Sequence, residues 1–102
     1  MSDRAVTLDT PVRVNPEVLF QDLDGEAVLL HLGSGVYFGL DEVGARIWSL
    51  LAEGADLRTV ARTVASEYAV DEGRCVEDLL DLAAELKTHG LVSAGAAQTP
   101  GG

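Results

Sequence analysis

The chain has a single cysteine, Cys75, and two histidines among 102 residues. One thiol excludes an internal disulfide, and so few nitrogen and sulfur ligands exclude the usual zinc sites. No apolar run approaches the ~20 residues that a bilayer-spanning helix needs. The opening residues, MSDRAVTLDTP, lack the charged-then-apolar order of a signal peptide. These absences predict a reduced, cytoplasmic protein without a membrane contact. Basic residues are also scarce: 7 against 17 acidic ones, for a net charge of -10. A nucleic-acid binder needs a cationic face to neutralise phosphates, so this balance argues against one. An acidic surface favours cationic partners instead and raises their encounter rate.

Catalytic motifs are missing too. There is no G-x-S-x-G, no Walker pattern and no G-x-G-x-x-G. Ser34 lies within Gly33-Ser34-Gly35, where turn geometry alone accounts for the glycines. Cys75 falls on an apolar helix face, which reads as core rather than as a nucleophile. His31 alternates with Leu30 and Leu32 on a strand, and His89 ends a helix, where an imidazole suits the dipole. Neither these residues nor any motif calls for a metal or another cofactor.

What remains is a well-punctuated small domain. Val12-Arg13-Val14 reads as a short strand before the Asn15-Pro16 break. Val18–Leu23 is the first main strand, and Asp24-Gly25 is a type I′ hairpin signal. Glu26–Leu32 is the second strand, Gly33-Ser34-Gly35 a turn, and Val36–Leu40 the third. Two tight turns in succession make an antiparallel meander with the third strand at its edge. After Leu40 no strand pattern returns. A helix is expected from Glu42 to Ala52 with Asp41 as its cap. A second begins at Asp56, with Leu57, Val60, Ala61, Val64 and Tyr68 on one face, and a third runs from Asp71 to His89. Ile47 and Trp48 are assigned to the core. Residues 1–11 are expected to be a flexible arm, 12–92 the folded domain and 93–102 a disordered tail. The fold class is thus α+β, a three-stranded meander followed by three helices. That order resembles a winged helix-turn-helix, so a DNA-binding regulator is the alternative reading, disfavoured by charge.

Two features point to a peptide site. The edge strand presents unpaired backbone groups, which template an added strand. The third helix carries Cys75, Val76, Leu79, Leu80, Leu82, Ala83 and Leu86 on a stripe of about 160°, wider than the ~100° that a surface helix typically buries. Its excess either packs on the first two helices or leaves a margin (Cys75, Leu79, Leu82) lining a groove beside the edge strand. Asp78 and Asp81 lie near that margin, where they suit a lysine-bearing ligand.

The segments DGEAVLLHLGSGVYFGLDEVGARIWSLLAEG, DLRTVARTVASEYAVD and VEDLLDLAAELKTHGLV resemble the PqqD-like family of peptide-recognition domains. Tyr37–Leu40, Gly44, Ile47-Trp48, Leu50-Leu51 and Gly90-Leu91 carry the likeness together. The resemblance covers about residues 12–92. It implies a domain without catalytic activity that binds the leader segment of a ribosomally made precursor peptide. A short, acidic, free-standing copy is most similar to the leader-binding proteins of lasso-peptide biosynthesis. By that resemblance, Val36, Tyr37, Phe38, Gly39 and Leu40 make the main-chain contact. Cys75, Val76, Leu79, Leu82 and Leu86 then wall the groove, and Asp78 or Asp81 meets leader lysines. The partners so implied are a basic leader with apolar or aromatic anchors, and a separate peptidase or other modifying enzyme.

Overall fold

The computed structural model describes residues 6–23 and 26–94. The first five residues of the expected arm, the Asp24-Gly25 turn and residues 95–102 of the expected tail lie outside them. The elements in order are β1 (Val12–Val14), β2 (Val18–Leu23), β3 (Glu26–His31), β4 (Tyr37–Leu40), α1 (Glu42–Ala52), α2 (Leu57–Tyr68), α3 (Glu72–Thr88) and β5 (Val92–Ala94). The meander and the three helices fall where periodicity placed them.

Local chemistry starts each helix. Asp41, Asp56 and Asp71 hold extended backbone, and their side chains accept the backbone N–H of Gly44, Thr59 and Arg74. Gly54 (φ 96°) and Gly90 (φ 75°) turn the chain away from α1 and α3 through the left-handed region. Arg46 and Glu67 tie α1 to α2 through two bonds of 2.8 Å.

The sheet order is β2-β3-β4, antiparallel throughout, with Leu29 opposite Phe20 on one side and Phe38 on the other. Its inner face buries Ala27, Leu29 and Leu40 against Trp48, Leu86, Leu91 and Val92. A second cluster joins the three helices around Ile47, Leu57, Val60, Val64 and Leu79.

Two expectations need correction. A strand does follow the helices: β5 pairs with β1 in a separate two-stranded sheet, Val14 opposite Val92. Three residues are too few to show a period. Gly90 turns the chain back, and burial of Leu91 (0% exposed) and Val92 (4%) sets the strand in place. The described part of the expected arm is also packed. Val6 is 1% exposed within the helical core, and Asp9 bonds Arg58 at 2.6 Å, so residues 6–11 are not a free arm.

Candidate functional site

Among the described residues no strand lies beyond β4. The register decides which groups that edge offers. In an antiparallel ladder alternate residues turn both backbone groups to the neighbour. His31 N–H donates to the Val36 carbonyl at 2.9 Å, and the same phase assigns Phe38 and Leu40 to β3. Tyr37 and Gly39 therefore aim their N–H and C=O outward. Val36 itself precedes β4. Gly39 has a non-positive φ, and a Cβ there would meet nothing within 4 Å, so local geometry does not demand glycine. A strand glycine of this kind leaves room for another backbone to approach closely.

A trench runs from this edge. Its upper part, about 570 Å³, is lined by Phe38, Gly39, Leu40 and Asp41 from the strand, by Val43, Gly44 and Ile47 from α1, and by Asp78, Leu82 and Glu85 from α3. Its lower part, about 420 Å³, adds Val64, Tyr68, Val70, Asp71, Arg74 and Cys75. Val43, Ile47 and Asp78 line both parts, which makes the two continuous. At the top, the Phe38 ring meets the edge of His89 at 5.3 Å between centroids. The trench is apolar on its floor and anionic on its rim. Asp41 is engaged as the α1 cap, bonding Gly44 N–H at 2.8 Å. Asp78 lies 3.9 Å from Arg74, an exposed and hence weak pair.

The structure thus brings Phe38, Gly39, Leu40, Asp78 and Leu82 together around one cavity. Tyr37 is 72% exposed on the opposite, outer face of the sheet, in one cross-strand row with Leu30 of β3 and Leu19 of β2. Other expected wall residues sit elsewhere. Leu79 and Leu86 have no exposed surface, Leu79 in the helical core and Leu86 beneath the sheet. Val76 packs against the helical core, and Asp81 is exposed but does not line the trench. Most of the broad α3 stripe is consumed by tertiary packing on both of its flanks. The wall that remains is the row Cys75, Asp78, Leu82 and Glu85, at spacings of about three and four residues. Its mixed polarity hid it from a purely apolar reading. The α1 contribution was hidden because Ile47, 4% exposed, is core on one side and trench floor on the other.

Cys75 touches the lower trench but is mostly buried, and its thiol donates to the Ala61 carbonyl at 3.5 Å. Burial, with the charges of Asp78 and Glu72, pushes its thiol pKa up, away from the thiolate a nucleophile needs. Cys75→Ala is accordingly expected to leave ligand affinity within about two-fold and to cost only stability, checked by titration and denaturant melts. Among the described residues no cluster of three or more His, Cys, Asp and Glu could hold a metal ion, and no helix is long and apolar enough to cross a membrane.

Comparison with known proteins gives three findings. The family described as coenzyme PQQ synthesis protein D (PqqD) matches residues 26–92. The solved structure of TbiB1 in complex with the TbiA(β) leader peptide is 41% identical in sequence. It covers 84% of this chain and 99% of its own, with a TM-score of 0.75. Lasso peptide synthetase B1 complexed with its leader peptide is 32% identical, covering 80% and 96%, with a TM-score of 0.73. No curated protein sequence matches the chain.

Proposed function

Because the chain belongs to the PqqD family, we propose that it binds the leader segment of a precursor peptide as a strand added to β4 and presents it, without catalysing a reaction, to a separate processing enzyme. The observation that carries this reading is the outward N–H and C=O of Tyr37 and Gly39 at the rim of an apolar trench. The edge gives main-chain hydrogen bonds, and the trench takes alternate side chains of the incoming strand. Both solved neighbours hold leader peptides. The acidic rim of Asp78 and Glu85 favours a leader with lysine or arginine near its apolar anchors.

The DNA-binding alternative finds little support in α2, the helix that would enter a groove. It carries only Arg58, which is held by Asp9, and Arg62, against Asp56 at its start and Glu67 along it. Titration of the protein with the leader of its own precursor, with the TbiA(β) leader as a reference, tests the proposal. Saturable one-to-one binding is expected; no binding of the protein's own leader, or tight binding of duplex DNA at moderate salt, sinks it.

We place the enzyme on the outer face of the sheet. Tyr37 is exposed there at the edge where the leader enters, and Leu30 and the exposed Leu19 continue the same cross-strand row over to β2. A grouped apolar surface of this kind marks a protein contact, and its continuity with the leader strand lets one partner touch both. Leu19→Glu is expected to leave leader affinity within about two-fold while slowing precursor processing about ten-fold or more. Equal processing by the variant would move the enzyme elsewhere.

A further inference from the structure

We infer that β2 is a second docking edge, opposite the one that takes the leader, and that the processing enzyme adds a strand of its own to it. The choice of the enzyme rests on the adaptor reading above; the open edge itself does not. Among the described residues no strand lies beyond β2. Its register with β3 runs unbroken from Val18 opposite His31 to Leu23 opposite Glu26. Leu32 N–H donates to the Glu17 carbonyl at 3.0 Å, and that phase assigns Leu19, Gln21 and Leu23 to β3. Phe20 and Asp22 therefore aim both backbone groups away from the sheet. Val18 offers only its carbonyl, since its N–H donates to the Asn15 carbonyl at 3.0 Å.

Edge strands are ordinarily guarded by lysine, by proline, by a bulge or by being very short. The six residues of β2, VLFQDL, have no lysine, proline or bulge, and the strand is longer than the four-residue β4. It is also apolar and exposed on both of its faces. Leu19 and Leu23 are exposed on the outer face, and Phe20, opposite the buried Leu29 on the inner face, stays exposed as well. An unguarded ladder edge flanked by exposed apolar side chains is what an incoming strand covers.

Position and charge choose the occupant. The leader's trench lies against β4, and neither part of it is lined by a β2 residue. A second copy of this chain would bring a further net charge of -10 to an edge that already carries Glu17, Asp22 and Glu26. Neither β2 nor β3 holds a lysine or arginine to offset it, so like charges oppose that pairing. A segment of the enzyme with alternating apolar residues and a lysine or arginine opposite Asp22 satisfies both the apolar flanks and the charge. The row Tyr37–Leu30–Leu19 joins β4 to β2 across the outer face. An enzyme seated on β2 thus reaches the leader on β4 without competing for its edge.

Hydrogen exchange reads the edge directly. The Phe20 and Asp22 amides are expected to slow about ten-fold or more when the purified processing enzyme is added, and the Tyr37 and Gly39 amides when the leader is added. An enzyme that leaves Phe20 and Asp22 fast overturns the proposal. So does slowing of these two amides by leader alone, or by raised protein concentration alone, which gives the edge to a second copy. Asp22→Pro removes an outward donor and spares the bonds to β3, whereas Asp22→Asn keeps the N–H and loses the charge. Enzyme affinity is expected to fall about ten-fold in the first and about three-fold or less in the second, with leader affinity within about two-fold in both. Unchanged enzyme affinity in Asp22→Pro, or equal losses in the two variants, overturns strand addition. Should Asp22→Pro not fold, the exchange pattern of the wild type decides alone. Slowing of Phe20 and Asp22 by enzyme in a protein whose Tyr37 and Gly39 amides never respond to leader would sink the adaptor reading and leave this edge assignment standing.

Discussion

A leader peptide N-methylated at the two positions that donate to Tyr37 and Gly39 is expected to bind about ten- to a hundred-fold more weakly than the unmodified peptide. Each backbone hydrogen bond contributes about 0.5–1.5 kcal/mol net, and a factor of ten in affinity is about 1.4 kcal/mol. Two lost bonds thus account for most of the effect, and the methyl groups add a steric cost against the strand. Methylation of the alternate nitrogens, which face away from β4, is expected to change affinity by about three-fold or less. The contrast has the period of a β-strand, which side-chain recognition alone does not produce. Isothermal titration with the two methylated series makes the comparison. Equal sensitivity at facing and alternate positions would show that the leader does not join the sheet.

The second large effect separates two leucines one turn apart on α3. Leu79 is fully buried, whereas Leu82 is half-buried and lines the trench. Leu79→Ala is expected to cost about 2–5 kcal/mol of stability, the usual range for a core leucine that leaves a cavity. Domains this small have about 5–15 kcal/mol in total, so the melting temperature falls on the order of 10 °C or more. Leu82→Ala removes less buried surface from the fold but strips an apolar contact from the ligand. Its main cost appears as about ten-fold weaker leader binding, following the ~1.5–3 kcal/mol for burying a leucine-sized side chain. Denaturant melts read the first quantity and peptide titration the second. Should Leu82→Ala destabilise as much as Leu79→Ala and bind normally, Leu82 belongs to the core and the wall is misassigned. A charge at position 79 would test nothing about the trench, because an unpaired carboxylate there opposes folding itself.

The two leucines also show where the sequence stops being readable. Helical period puts Leu79 and Leu82 on one stripe, and period is all a single chain displays. Which margin of that stripe is covered depends on where α2 and the sheet lie, and neither position is encoded locally. Ile47 shows the same limit from the other side: its pattern is that of a core residue, and it is one, yet it also floors the trench.

The caps, turns and alternating strands were determined by the chain itself. Asp41, Asp56 and Asp71 satisfy helix N–H groups three residues on, Leu23 pairs with Glu26 only three positions later, and the tight turn after His31 leads into β4. Such signals act over one turn of chain and need no distant partner. The edge position of β4 follows from them as well, because short turns place successive strands side by side. Only the tertiary structure decided the β1–β5 pair, the burial of Val6 and the choice of Cys75, Asp78, Leu82 and Glu85 as the wall. Those depend on contacts between residues distant in sequence, where apolar burial summed over many neighbours outweighs local preference.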